Sequence, residues 1–259
     1  MLPKFFYQQN GSNQEECRTI VNKYNKDCQI VEFVDNSINK CFIYSYISTY
    51  LITESHNATS AEVGHTSFEN NETNEWVGCQ AIKKNNDSDT KTGEYYGKIF
   101  PSTAADGISK VFEVGVEAEK HPGYTASVWV KGGSDAFIHI EVNNNWDTKI
   151  RKFNSENTGG WNLLVVDMPK SKYESYMGAN LKLKVYVGGD SNALWDDIRF
   201  YPSDAAMTTY TYAPLIGMTS QSDANNMPTY YEYDEFGRLK YIRDHERNIL
   251  KSFDYNYAH

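Results

Sequence analysis

Apolar and polar residues alternate along much of this chain in short runs, and clusters of turn-forming residues separate the runs. In residues 123–131 and 137–142, apolar residues occupy at least every second position. A period of two predicts half-buried β-strands. Comparable runs at 94–99 and 161–168 lie between clusters of glycine, asparagine and aspartate. Many short strands at this spacing predict an all-β chain, with a β-sandwich or jelly roll over residues 61–203.

The N-terminal segment, residues 1–60, contains two further strand-like runs, at 29–34 and 40–46, with a turn between them. Residues 10–28 fit either a short helix or a loop. Helix is expected to be scarce, at most a turn or two before residue 67.

The C-terminal segment, residues 208–259, repeats itself. Tyr212, Tyr233 and Tyr255 recur at offsets of 21 and 22 residues, and each unit reads as strand, turn, strand. A period near 20 without a helical pattern indicates β-hairpins. Because an isolated hairpin is only marginally stable in water, we predict that these hairpins and the strands at 29–46 form one continuous sheet. The jelly roll would then be an insertion in that sheet.

Composition and charge narrow the class of partner. The formal net charge is −9, whereas a nucleic-acid footprint needs a basic patch, so no nucleic-acid partner is expected. No run of 18 apolar residues is present, so no membrane insertion is expected. An acidic surface with 20 tyrosines and five tryptophans suits a calcium ion or a neutral glycan better.

The start of the chain and its cysteines bear on the compartment. The first residues turn polar at once and lack the apolar core of a signal peptide, so we expect part of a longer exported protein. Cys17, Cys28, Cys41 and Cys79 lack CxxC spacing, which argues against zinc. They allow two disulfides in three pairings, or free and half-buried thiols.

One repeat unit carries a resemblance. The pattern Tyr231-x-Tyr233-Asp234-x-x-Gly237-Arg238-Leu239 resembles the YD repeat of the Rhs family of bacterial surface and secreted proteins. In the copy at Tyr210 the Asp and Arg positions are occupied by Ala213 and Met218. The resemblance implies an array of hairpins, a longer YD-repeat polypeptide as partner, and an extracellular or cell-surface location.

A second resemblance covers residues 61–203. Five motifs in order are similar to those of galactose-binding-like jelly rolls, which include many carbohydrate-binding modules: Ser67-Phe68-Glu69-Asn70, Thr92-Gly93-Glu94-Tyr95-Tyr96-Gly97, Tyr124-Thr125-Ala126-Ser127-Val128-Trp129-Val130-Lys131, Gly160-Trp161 and Leu194-Trp195-Asp196-Asp197-Ile198-Arg199. The resemblance implies a jelly roll with a binding, structural or accessory role.

Three carboxylates are candidate metal ligands. If the first and last jelly-roll strands approach each other, Glu69 and one of Asp196 or Asp197 would converge, and hard oxygen ligands suit a structural calcium ion. Only one member of the Asp pair can share the side of Glu69, because successive strand residues face opposite sides. The alternative is that Asp197 pairs with Arg199 on a solvated face.

Aromatic residues are the candidate ligand-binding groups, because sugars stack on exposed rings. Trp146 lies in an Asn-rich stretch that reads as a loop, and Trp129 lies on the polar side of its strand. Tyr95 and Tyr96 come next, since one of them must face outward. The alternative for each ring is packing in the core.

The sequence favours a non-catalytic glycan-binding module, since it contains no HExxH, GxSxG or P-loop motif. The alternative is a structural spacer without a ligand, and a glycoside-active enzyme is less favoured. Two or more aromatic rings lining one groove would favour binding, whereas rings that are all buried would favour the spacer.

Overall fold

The computed structural model describes residues 2–9, 15–99, 107–154 and 159–256. About 55% of it is strand and 8% is helix, which confirms the all-β prediction. The described helical segments are short 3-10 turns, and they lie after residue 67 rather than before it: Glu69–Asn71, Asp87–Asp89, Gly115–Lys120, Lys170–Lys172 and Glu174–Tyr176. None of the described helices has the length and apolar character needed to span a membrane.

The described strands are numbered here in chain order. The N-terminal strands are β1 (Phe5–Gln9), β2 (Glu15–Tyr24), β3 (Ile30–Asp35), β4 (Ile38–Ser45) and β5 (Tyr50–His56). The central strands are β6 (Gly64–Thr66), β7 (Cys79–Lys83), β8 (Tyr95–Ile99), β9 (Gly107–Phe112), β10 (Gly123–Lys131), β11 (Phe137–Val142), β12 (Asn145–Phe153), β13 (Trp161–Pro169), β14 (Leu183–Gly188) and β15 (Leu194–Pro202). The C-terminal strands are β16 (Ala206–Ala213), β17 (Gly217–Ser222), β18 (Pro228–Tyr233), β19 (Leu239–Arg243) and β20 (Ile249–Ser252).

The two ends of the chain form one antiparallel sheet. Its order runs from β1 to β5 and then directly from β16 to β20. At the junction, Met207 on β16 lies opposite Ser55 on β5. The prediction of a continuous sheet is therefore confirmed, and the central strands enter as an insertion between two hydrogen-bonded neighbours.

Four turns of this long sheet use the same polar arrangement. In each, one side-chain oxygen accepts the backbone N–H groups two and four residues further along, and the residue three further along has φ between 63° and 74°. The accepting residues are Asn25, Asp223, Asp234 and Asp244. Such a side chain satisfies backbone donors that the hairpin leaves unpaired. Gly237 occupies the left-handed position of its turn at low steric cost, because glycine has no Cβ atom.

Two local predictions were wrong. Residues 15–24 form strand β2 instead of a helix or loop, because Ile20 and Val21 pair with Val34 and Phe33 of β3. Trp146 does not lie in a loop: its backbone belongs to β12, and the turn consists of Asn143 and Asn144. Apolar and polar residues do not alternate clearly in β2 or β12, so these segments become strands because each pairs with a neighbouring strand.

The central strands form two facing sheets around one core. One has the order β13-β10-β15-β8-β7, with β6 beside β15, and the other has the order β12-β11-β14-β9. Inward side chains of both sheets, among them Val128, Ile140 and Phe200, are fully buried. This is a β-sandwich, as the alternation predicted.

A buried histidine ties together the two connections between the long sheet and the sandwich. His121 Nε2 lies 3.3 Å from Glu62 Oε1, and its Nδ1 lies 2.7 Å from Asp204 Oδ1. Glu62 precedes the first sandwich strand and Asp204 follows the last one. Burial disfavours the charged imidazole, but the two carboxylates outweigh it and raise the pKa of His121. The charged histidine therefore stabilises these two connections at low pH. This contribution is lost as the pH rises through the folded-state pKa of His121.

Candidate functional site

The outer face of the four-stranded sheet carries aromatic and charged side chains. Along β11, Ile138 and Ile140 are fully buried in the core, so the alternation turns Phe137, His139 and Glu141 to the outer face. Their cross-strand neighbours on that face are Phe153 and Arg151 on β12, and Gly188, Tyr186 and Lys184 on β14. We name Phe137, His139 and Tyr186 the aromatic shelf.

The three rings of the aromatic shelf are nearly parallel. The centroid of Tyr186 lies 5.0 Å from that of His139 and 5.8 Å from that of Phe137, with interplanar angles of 13° and 17°. Two glycines let the rings lie close to the sheet. A Cβ atom at Gly188 would be 2.5 Å from the Phe137 ring, and one at Gly107 would be 2.3 Å from the Tyr186 ring. A side chain at either position would therefore displace a ring.

Arg151 fixes the protonation of the histidine in the shelf. Its guanidinium carbon lies 4.2 Å from the Phe137 ring centroid, and one terminal nitrogen lies 3.3 Å from His139 Nδ1. Because arginine has no acceptor, His139 Nδ1 accepts this bond and Nε2 carries the proton. Burial, followed by the positive charges of Arg151, Lys149 and Lys184, lowers the pKa of His139 to about 4. The imidazole is therefore neutral at neutral pH.

Two buried polar atoms beside the shelf lack hydrogen-bond partners in the described part of the chain. They are Glu141 Oε2 and Arg151 Nε. Glu141 is 3% exposed, and its Oε2 atom lies 3.5 Å from His139 Nε2 without hydrogen-bond geometry. An unsatisfied buried polar atom costs about 1–3 kcal/mol, so it indicates a place where a ligand or water completes the bonding. Ring faces beside unfilled hydrogen-bonding atoms are the combination that binds sugars.

The predicted ligand-binding residues lie elsewhere. Trp129 is 6% exposed, with the Lys91 ammonium 4.0 Å from its ring centroid, so the expectation that it is exposed is wrong. Tyr96 is 8% exposed, and Tyr95 packs against the core, so neither offers a free ring face. The side chain of Trp146 lies outside the described residues.

Glu69 and Asp196 hold one loop from two sides. Glu69 Oε1 accepts the backbone N–H groups of Glu94 and Tyr95 at 2.8 Å. Asp196 Oδ2 accepts those of Lys91 and Thr92, also at 2.8 Å. Burial raises the pKa of Glu69 to about 8. Burial, with the charges of Asp197 and Glu69 acting in the same direction, also raises the pKa of Asp196 well above its usual range.

Asp197 belongs to a buried ion-pair network instead. Its carboxylate lies 2.8 Å from a terminal nitrogen of Arg199 and 2.9 Å from His65 Nε2, and all three side chains are at most 1% exposed. Arg199 also donates to Thr209 Oγ1 on β16 and to the Asp223 carbonyl in a C-terminal turn. The predicted pairing of Asp197 with Arg199 is present, but it is buried at the boundary with the long sheet instead of solvated.

Glu69 Oε1 and Asp196 Oδ2 each accept two backbone N–H groups, which leaves these oxygens less available to a calcium ion. Among the described residues, no group of three or more His, Cys, Asp or Glu side chains is placed to hold a metal. We expect the melting temperature to be the same with calcium and with a chelator. A melting temperature that rises with calcium and falls with the chelator would instead support the calcium hypothesis.

The residues of the aromatic shelf are not among those predicted from the sequence to bind a ligand. The signal was present along β11, where Phe137, His139 and Glu141 alternate with Ile138 and Ile140. An aromatic residue on the non-core side of an alternating strand marks a surface of this kind. The third ring, Tyr186, comes from β14, which meets β11 only in the folded sheet.

No protein-family model and no curated protein sequence matches the chain. Several solved structures are similar over part of it. TmCBM61 in complex with β-1,4-galactotriose aligns at 18% identity and a TM-score of 0.35, covering 53% of this chain and 94% of that one. The Podospora anserina GH26-CBM35 β-(1,4)-mannanase aligns at 14% identity and a TM-score of 0.34, covering 60% of this chain and 29% of that one. The Stig cyclase Fisc from Fischerella sp. TAU aligns at 9% identity and a TM-score of 0.34, covering 55% of this chain and 86% of that one. Similarities this low carry no inference about the function of this chain.

Proposed function

We propose that the sandwich is a non-catalytic glycan-binding module and that the glycan lies on the aromatic shelf. The observation that carries the proposal is the set of near-parallel rings beside Glu141 and Arg151, whose buried Oε2 and Nε atoms have no hydrogen-bond partner among the described residues. His139 is 1% exposed, but Phe137 and Tyr186 are half-buried and the neighbouring Phe153 is 53% exposed, so these three rings share one open face. That arrangement favours binding over a spacer.

The shelf offers a sugar both kinds of contact that it needs. The apolar C–H face of a pyranose can stack on Tyr186 or on the more exposed Phe153. Its hydroxyl groups can bond to the half-buried Arg151 and Lys184 side chains beside the rings. A shallow site of this kind gives millimolar to micromolar affinity, roughly 4–8 kcal/mol of binding free energy.

The proposal also includes the parent protein, an extracellular or surface-located bacterial YD-repeat polypeptide. Two observations support it. The run from Tyr231 to Leu239 resembles the YD repeat, and the same turn arrangement recurs at Asp223, Asp234 and Asp244. The long sheet is then the support on which the binding module is carried.

Removing a ring of the shelf is expected to weaken glycan binding. Tyr186→Ala should lower the affinity for a neutral oligosaccharide by about tenfold, which corresponds to about 1.4 kcal/mol. Gly188→Ala should also weaken binding although it removes no ring, because its Cβ atom displaces Phe137. A glycan array selects the oligosaccharide, and titration calorimetry measures the affinities.

The matched control is Phe236→Ala, which removes a ring that is 80% exposed on a hairpin turn far along the chain. It should leave both the affinity and the melting temperature unchanged. The shelf proposal is wrong if Tyr186→Ala and Gly188→Ala bind the glycan as well as the unmodified protein does.

A structural spacer is the second candidate, and one observation favours it. The sandwich is inserted between adjacent strands β5 and β16 and joined to the long sheet by the buried Arg199 network. Such a rigid junction suits a part that continues a β-array. If no glycan on the array binds, and the shelf variants are as stable as the unmodified protein, the spacer is the better interpretation.

A further inference from the structure

A second concave surface lies where the sandwich meets the C-terminal hairpins. This interface cleft has a volume of about 590 Å³, within the usual range for ligand pockets. Lys91, Lys131 and Trp161 line it on the sandwich side, and Tyr230 and Arg247 line it on the hairpin side. It is separate from the aromatic shelf, with which it shares no lining residue.

Two carboxylates that line the interface cleft, Asp87 and Glu232, already have cationic partners. Glu232 Oε1 accepts from Arg243 Nε at 2.7 Å, and Asp87 Oδ1 lies 3.0 Å from Lys84 Nζ. Glu246 accepts a hydrogen bond from the neutral Asn248 amide and keeps its negative charge, which is one charge against the three of Lys91, Lys131 and Arg247. By contrast, no carboxylate of the described residues forms an ion pair with Lys91, Lys131 or Arg247. The cleft therefore holds an excess of positive charge in a chain whose net charge is −9.

Aromatic rings, not carboxylates, hold two of these cations. Lys91 Nζ lies 4.0 Å from the Trp129 ring centroid, and the Arg247 guanidinium carbon lies 3.4 Å from that of Tyr230. The Tyr230 hydroxyl donates to the Lys91 carbonyl, which joins the two sides of the cleft. A cation seated on a ring is fixed in position while donors remain available to an anion.

The two cations also repel each other. Burial, followed by the positive charge of Arg247, lowers the pKa of Lys91. An anion bound between them would offset both effects. Beside them, Trp161 is half-buried, and its indole N–H donates to the Ser88 carbonyl at 3.2 Å, as does Lys131 Nζ at 2.7 Å. The indole ring is thereby held at the wall of the cleft.

We propose that the interface cleft is a second binding site, specific for an acidic sugar. The carboxylate or sulfate group of the sugar binds to Lys91 and Arg247, and its ring stacks on Trp161. The site goes beyond the proposed function and does not depend on it, since neither its residues nor its ligand class are those of the aromatic shelf.

The test measures binding of three probes to the full chain: an oligogalacturonate, the neutral galactose oligomer of equal length, and inorganic sulfate. We expect the oligogalacturonate to bind best and to lose affinity as salt is added, because charge–charge contacts are screened. Lys91→Met keeps the alkyl stem over Trp129, and Arg247→Gln keeps a long side chain in the turn. Each should weaken oligogalacturonate binding by about tenfold or more.

Three comparisons make the result decisive. Lys251→Gln removes an exposed cation outside the cleft and should leave binding unchanged. Trp161→Ala should weaken binding of the oligogalacturonate but not of sulfate; equal effects on both would overturn the assignment to a sugar. Tyr186→Ala, in the aromatic shelf, should leave oligogalacturonate binding intact. The cleft proposal fails if the folded Lys91→Met and Arg247→Gln variants bind oligogalacturonate normally, whatever the outcome at the shelf.

Discussion

Replacing Arg199 by methionine is expected to lower the free energy of unfolding by about 3–5 kcal/mol at neutral pH, the usual cost of removing one partner from a buried ion pair. The Asp197 carboxylate would stay buried beside His65, whose pKa is lowered by burial, so that the neighbouring imidazole is neutral at neutral pH. The hydrogen bonds that Arg199 donates to Thr209 Oγ1 and to the Asp223 carbonyl would also be lost, which weakens the contact between the sandwich and the long sheet. Denaturant unfolding measures the loss, and hydrogen exchange along β17 and β18 should accelerate.

The matched control is Arg243→Met. Arg243 pairs with Glu232 through side chains that are 23% and 41% exposed, and such a pair contributes about 0–1 kcal/mol. Equal losses in the two variants would mean that the buried network is not what joins the two parts.

The pH dependence of the Arg199 variant gives a second check. In the unmodified protein, burial opposes the charge on Asp197, but Arg199 and His65 outweigh it and hold its pKa below the usual range. The stabilisation by Asp197 is therefore present above the unfolded pKa and is lost as the pH falls through the folded pKa. Without Arg199, burial dominates, so the difference in stability between the two proteins should shrink in acid.

The second large effect is a loss of stability as the pH rises from about 5 to 9. The folded pKa of Glu69 is about 8, above its ordinary value of 4.5. A group of this kind contributes its full stability below the unfolded pKa and loses it as the pH rises through the folded pKa. The shift corresponds to a loss on the order of 3–5 kcal/mol over that window. Asp196, whose pKa is also raised, acts in the same direction.

Glu69→Gln isolates this contribution. Glutamine keeps an oxygen that can accept the N–H groups of Glu94 and Tyr95, but it takes no charge. We expect the variant to match the unmodified protein near pH 4.5 and to be more stable above pH 8. Melting temperatures across the pH range measure the difference. Glu113→Gln, at an exposed position, should not reproduce it, and a variant that is less stable at every pH would contradict the assignment.

The surroundings of Trp129 and of the candidate calcium ligands could not be predicted from the sequence, because distant segments of the chain contact these side chains in the fold. Alternation placed Trp129 on the polar side of β10, but Lys91 covers its ring, and the loop that carries Lys91 is held by Glu69 and Asp196. The carboxylates that suggested calcium are thus occupied by backbone N–H groups. A sequence states which carboxylates are present, but not which donors reach them after folding.

The sequence by itself determined the local elements. The bounds of β10 and β11 are those of the alternating runs at 123–131 and 137–142, because a period of two and the flanking turns act within a few residues. The repeated tyrosines predicted the C-terminal hairpins. Because isolated hairpins are only marginally stable, a neighbouring strand was also expected, and β5 is that neighbour, paired with β16. Tertiary structure alone decided the aromatic shelf and the interface cleft, because their residues come from strands and loops that are distant in sequence and adjacent only in the folded sheets.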